Sequence, residues 1–171
     1  AAPTCTASRG AILTGRWPWR LDEGFNLWPA WRAAPRSFME LLADEGYETG
    51  HNGKGWGPGE IIGHRAFDGP HFDSLSAFLS ARKRRAGAWR GASPFAFWLG
   101  DVHTHRVPHG PKRQVFPCSP SPAPQLRANV PPWLPDSPSV RSDLRRYYAC
   151  VARFDEQLNA SLATLARARE L

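Results

Sequence analysis

Cys5-Thr6-Ala7-Ser8-Arg9-Gly10-Ala11-Ile12-Leu13-Thr14-Gly15-Arg16 is the stretch on which the reading of this chain turns. Ala11, Ile12 and Leu13 favour helix, so a short helix is expected over residues 8–14, with Gly15 placed to end it in the left-handed conformation. Thr6 or Ser8 is the expected cap of its start. Cys5 then stands beside backbone N–H groups at a helix N-terminus, where an anion is favoured. Arg9 lies about one helical turn further on and can reach back towards residue 5. Taken singly, a cysteine ahead of a helix is most often an ordinary buried or free thiol. Its combination with Ser, Arg, Leu, Thr, Gly and Arg at fixed intervals is what sets this one apart.

Moving outward, residues 17–33 are rich in Trp, Pro and Arg and read as a loop over the surface. Ser37 to Glu45 predicts an amphipathic helix, with Ser37 as N-cap, Glu40 as its capping-box partner and Gly46 as terminator. Tyr47 to Gly53 predicts a strand that leads into Lys54 and the glycine-rich Gly53-Lys54-Gly55-Trp56-Gly57-Pro58-Gly59. Such a loop can bring amides and one ammonium to an anion, although it lacks the spacing of a nucleotide-binding P-loop. A helix is expected over Ser74–Arg85. The apolar run Pro94–Gly100 predicts a strand buried on both faces. Asp101, His103, His105 and His109 form a polar turn after it, readable either as a metal-ligating cluster or as solvated loop. Residues 110–138 are proline-rich and expected as extended loop. Ser139–Leu171 predicts one long helix or two, from apolar residues recurring at three- and four-residue steps. Helices alternating with strands indicate α/β layering, with the site on loops that follow the strands.

With 171 residues and 42% hydrophobic side chains the chain is long enough for one domain with a sizeable core. The net charge of +7 admits nucleic acid, an anionic surface or an anionic substrate as partner. The run Arg82-Lys83-Arg84-Arg85 reads first as a solvated helix end, and a polyanion-binding basic protein is kept as the non-catalytic alternative. Cys5, Cys118 and Cys150 form no C-x-x-C pair, so no zinc site is expected, and Cys118 and Cys150 are either paired or simply buried. No signal peptide and no membrane-spanning run are visible.

Residues 5–16 resemble the signature C-x-(P/A)-S-R-x-x-x-L-T-G-R of the type I, formylglycine-dependent sulfatases. Gly46-Tyr47-Glu48-Thr49-Gly50-His51-Asn52-Gly53-Lys54 is similar to the second signature of that family, G-Y-x-T-x-x-x-G-K. His105-Arg106 match the His-Arg of its D-P-H-R pattern, while His103-Thr104 depart from Asp-Pro. Trp56 stands where the family often has a histidine. Val130–Asp136, Arg141–Leu144, Tyr147-Tyr148 and Phe154–Leu158 resemble the sulfamidase-like branch, so the similarity runs from residue 3 to 165.

The resemblance implies an alkaline-phosphatase-like sulfatase sheet with flanking helices. Residues 1–171 would be a partial catalytic domain, an internal fragment truncated at both ends. It implies hydrolysis of sulfate esters or N-sulfates, on sulfated sugars or glycosaminoglycans. The nucleophile would be formylglycine made from Cys5 by a formylglycine-generating or anaerobic sulfatase-maturating enzyme. One hydroxyl of the hydrated aldehyde would attack sulfur and displace the alcohol or amine, and the other would allow collapse to the aldehyde and release of sulfate. Arg9 and Lys54 would offset charge on the sulfuryl oxygens. His105 would protonate the leaving group or hold a sulfate oxygen, with His103 as fallback and Arg106 beside it at the substrate. A Ca2+ ion would bind with residue 5 among its ligands, the remaining ligands lying outside this chain. The family implies a periplasmic or secreted location, with no nucleic-acid or membrane partner. A phosphate mono- or diester hydrolase of the same superfamily is the enzyme alternative, and a truncated fragment inactive by itself is the other alternative.

Overall fold

The computed structural model describes residues 2–64, 66–86, 93–108, 114–119 and 129–171. The chain divides into two units, Ala1–Gly100 and Asp101–Leu171, each described by itself.

The first unit is built around two parallel strands, β2 (Glu48–Gly53) and β4 (Phe95–Gly100), paired in register from Glu48 opposite Phe95 to Gly53 opposite Gly100. On its other edge β2 bridges to His71, with the His51 amide donating to Pro70 and the Phe72 amide to His51. Because side chains alternate along a strand, β4 offers two different faces. Phe95 and Phe97 stack on Phe78 of α3 (Leu75–Ala86). Ala96 and Trp98 lie on the opposite face, against the buried cluster. That cluster joins Leu13 of α1 (Cys5–Thr14), Leu21, Trp31, Met39 of α2 (Phe38–Asp44) and Phe67. Helices therefore cover both faces of a parallel strand pair, a mixed α/β layering. A second small parallel pair joins β1 (Ala30–Trp31) to β3 (Glu60–Ile61).

Three local expectations are corrected here. Helix α1 begins at Cys5, not at residue 8, and its cap is Thr4 without a side-chain bond, so neither Thr6 nor Ser8 caps it. Residues 17–33 are not simply a surface loop. They contain 3-10 turns at Pro18–Arg20 and Asp22–Phe25, and Leu21 and Trp31 are fully buried. Gly24 makes room for the indole, since a Cβ there would come within 2.6 Å of the Trp31 ring. Strand β4 is half-buried except at Gly100, rather than buried on both faces. It pairs with β2 on one edge, and each face is only partly covered.

Other expectations hold. Ser37 caps α2: the Glu40 amide donates to the Ser37 hydroxyl at 3.1 Å, and the Ser37 amide donates to the Glu40 carboxylate at 2.9 Å. This reciprocal pair satisfies two helix-end donors at once. Gly46 follows the helix with φ of +84°, the conformation that favours glycine.

The second unit carries one long helix, α4 (Pro138–Ala168), capped by the Ser137 hydroxyl, which accepts from the Val140 amide. A short antiparallel pair, β5 (Val107–Pro108) and β6 (Gln114–Val115), precedes it. A disulfide joins Cys118 to Cys150 of α4, closing the alternative that sequence left open. Phe116 packs on Tyr147, and the ring of Phe116 carries the Arg106 guanidinium 4.3 Å above it. Among the described residues no helix is long and apolar enough to cross a membrane.

Candidate active site

In the first unit two segments far apart in sequence are laced together. Cys5 is the first residue of α1, half-buried, and is the free cysteine of the described residues. The amides at this end have no acceptor four residues back, which makes the turn favourable to an anion. Thr6, fully buried, donates its hydroxyl to the Pro58 carbonyl at 2.8 Å. One turn on, Arg9 donates from one guanidinium nitrogen to the carbonyls of Lys54 and Gly55, the latter at 2.9 Å. The helix that carries Cys5 is thus tied to both ends of the glycine-rich loop that carries Lys54.

The loop itself is anchored where β2 and β4 end. The Lys54 amide donates to the Gly100 carbonyl at 2.9 Å. The backbones approach so closely that no side chain fits: a Cβ on Gly100 would stand 2.0 Å from the Lys54 oxygen, and one on Gly53 would stand 2.2 Å from the Gly100 oxygen. Gly53 also has φ of +67°, a conformation side chains rarely adopt. Trp98 donates its indole N–H to the Lys54 carbonyl at 3.1 Å, and the Trp56 amide donates to the Asp68 carboxylate at 2.6 Å. Trp56, where the resembled family often has histidine, packs on Trp31 and Phe67. Its half-buried side chain packs against the core, and its indole N–H makes no hydrogen bond.

The histidine segment belongs to the second unit. His103 is paired with Asp101, whose carboxylate meets Nδ1 and also accepts from the His103 amide at 3.0 Å. His105 is exposed, its amide closing a turn onto Val102. Arg106 forms a two-point ion pair with Asp143 of α4, one bond at 2.9 Å. That pairing makes Arg106 a link between β5 and α4. His109 lies outside the described residues.

The basic run at the end of α3 is the exposed helix end that was expected at Lys83, Arg84 and Arg85, but not at Arg82. Arg82 is buried, donates to Glu48 at 3.1 Å and lies 4.3 Å over the Phe95 ring. Arg85 donates to the other oxygen of Glu48 at 3.0 Å. Burial pushes the Glu48 carboxyl up, but hydrogen bonds from Arg85 and Arg82 outweigh it and leave the group below its ordinary range. Lys83, Arg84 and Arg85 are exposed. Two of the four cations that a polyanion site would use are therefore engaged inside the first unit.

A calcium site needs six to eight oxygen ligands, about 2.3–2.6 Å from the ion. No group of three or more His, Cys, Asp or Glu is placed to hold a metal among the described residues. The described residues do not make a calcium site by themselves. The thiol at 5 is free and half-buried at the first turn of α1, with Arg9 on the same helix.

Sequence reading singled out Cys5, Arg9 and Lys54, and the fold brings Arg9 onto the Lys54 backbone. It missed Thr6 as a tie and Trp98 as a partner of Lys54. Trp98 left a trace in the alternation of β4, where it shares a face with Ala96. Comparison with protein-family models, with curated proteins and with solved structures found no match.

Proposed function

We propose that this chain is part of a formylglycine-dependent sulfatase, with an alkaline-phosphatase-like sheet, acting on sulfate esters or N-sulfates of sugars. One observation carries the reading. Arg9, four residues after Cys5, donates to the carbonyls of Lys54 and Gly55. Two motifs that resemble the same family in sequence therefore meet in space, although nothing local in either demands it.

Formylglycine at position 5 would supply, as its hydrate, a geminal diol, one hydroxyl of which would displace the alcohol or amine from sulfur while the other would let the aldehyde re-form with release of sulfate. The chain's own contribution is electrostatic and positional. Amides of the first turn of α1 favour a negatively charged sulfuryl group near residue 5. Lys54, on a loop fixed to the ends of β2 and β4, provides a cation for the sulfuryl oxygens. Arg9 holds the loop and adds positive charge beside it. The roles of His105, with His103 as the fallback, and of Arg106 stay what the family resemblance implies, since these residues belong to the second unit.

Turnover of an aryl sulfate, an N-sulfated glucosamine and an aryl phosphate by the matured full-length parent protein tests the reading. Sulfate release that disappears in Cys5→Ala and Lys54→Ala is expected. Preference for the phosphate ester would instead support the phosphate-hydrolase reading, and activity retained by Cys5→Ala would remove the nucleophile from the account.

A further inference from the structure

We propose that Trp98 is a positioning residue for Lys54, a role that rests on the sulfatase reading above. The Lys54 carbonyl oxygen has two lone pairs. One donor is Arg9, from α1; the other is the Trp98 indole, at 3.1 Å, from β4. The Lys54 amide is taken by Gly100 at 2.9 Å. Both polar groups of this residue's backbone are thus satisfied, by three partners on two elements, which fixes where its Cα sits.

Trp98 is suited to that task because it is itself held. Its ring lies against the buried cluster and 6.4 Å from the Phe38 ring, and the Arg9 guanidinium stands 5.9 Å from its centroid. One side chain therefore braces both the lysine and the arginine that orients the loop. The indoles of Trp31 and Trp56 find no hydrogen-bond acceptor, whereas that of Trp98 does. A lysine acts as a point charge on a flexible stem, so its affinity for an oxyanion depends on where the backbone anchors that stem. The effect of Trp98 on a bound anion is exercised through Lys54, by way of the bond to its carbonyl.

The test is calorimetric binding of inorganic sulfate to the full chain. Trp98→Phe keeps an aromatic ring and removes the N–H; affinity should fall roughly tenfold, the worth of one hydrogen bond, with the melting temperature retained. In a Lys54→Ala background the same change should have no further effect, because the group it positions is gone. If Trp98→Phe melts early, benzothienylalanine at position 98, a bicyclic ring without N–H, gives the same comparison. Unchanged affinity in either ring variant, or an equal loss with and without Lys54, overturns the proposal. Equal sulfate binding by the wild-type chain and Lys54→Ala overturns the sulfatase reading itself, and the role of Trp98 with it.

Discussion

The Arg9 guanidinium reaches the carbonyl oxygen of Gly55, 46 residues downstream, at 2.9 Å. The same nitrogen donates to Lys54, so a single side chain of α1 sets the path of the loop that follows β2. Replacing Arg9 by Ala leaves two half-buried carbonyls short of a charged donor. Hydrogen bonds to charged groups are worth about 1.5–3 kcal/mol. Chemical denaturation of Arg9→Ala should show a loss of that order, and Arg9→Lys should recover only part of it, because an ammonium lacks the planar fork.

The backbone contact between Gly100 and Lys54 leaves no room for a methyl group. A Cβ at 100 would lie 2.0 Å from the Lys54 oxygen, which belongs to backbone and cannot swing aside. Gly100→Ala should destabilise the first unit by about 2–4 kcal/mol, within the range of strain and overpacking effects. It should also weaken sulfate binding, read by calorimetry at a temperature where the variant is folded. Full stability in this variant would contradict the described junction of β2 and β4.

Acid should loosen the tie between β2 and α3. Glu48 has its carboxyl held below the ordinary range by Arg85 and Arg82, against the opposing effect of burial. A carboxylate depressed in the folded state contributes stability above its unfolded pKa and loses it as pH falls through the folded value. Unfolding free energy should therefore drop on the acid side in the wild-type chain, and Glu48→Gln should flatten that part of the profile while lowering stability near neutrality. Arg85 is more than half exposed, so solvent screens its share and Arg82 should matter more.

The contact maps onto what could be read from sequence. The capping box of α2 was legible because its four positions are adjacent and each side chain acts on neighbouring backbone. The strands β2 and β4 and the helix α4 were legible from composition and periodicity. Trp31 was not, because its burial depends on Gly24 and on Phe67, with no period to announce it. Arg82 was read as solvated because its partner Glu48 is 34 residues away, and a run of like charges normally faces water. At the site, Cys5, Arg9 and Lys54 were legible as motifs, but the bond from Arg9 to the Lys54 backbone was not, since a guanidinium gives no sequence sign of which carbonyl it will meet.

The Cys118–Cys150 bridge ties the segment after β6 to α4 across a separation of 32 residues. Loop closure of this length is worth about 2–4 kcal/mol, chiefly through the unfolded chain. Reduction, or Cys150→Ser, should lower the stability of the second unit by that amount in denaturant titrations. The first unit, which holds Cys5, Arg9 and Lys54, should unfold as before.

The most direct measurement is mass analysis of the peptide that contains Cys5, from protein co-expressed with a formylglycine-generating or anaerobic sulfatase-maturating enzyme and treated with a hydrazide. An aldehyde at position 5, trapped as the hydrazone, is the predicted result. An intact thiol at position 5, in a preparation where the same enzyme converts a known target peptide, would contradict the account.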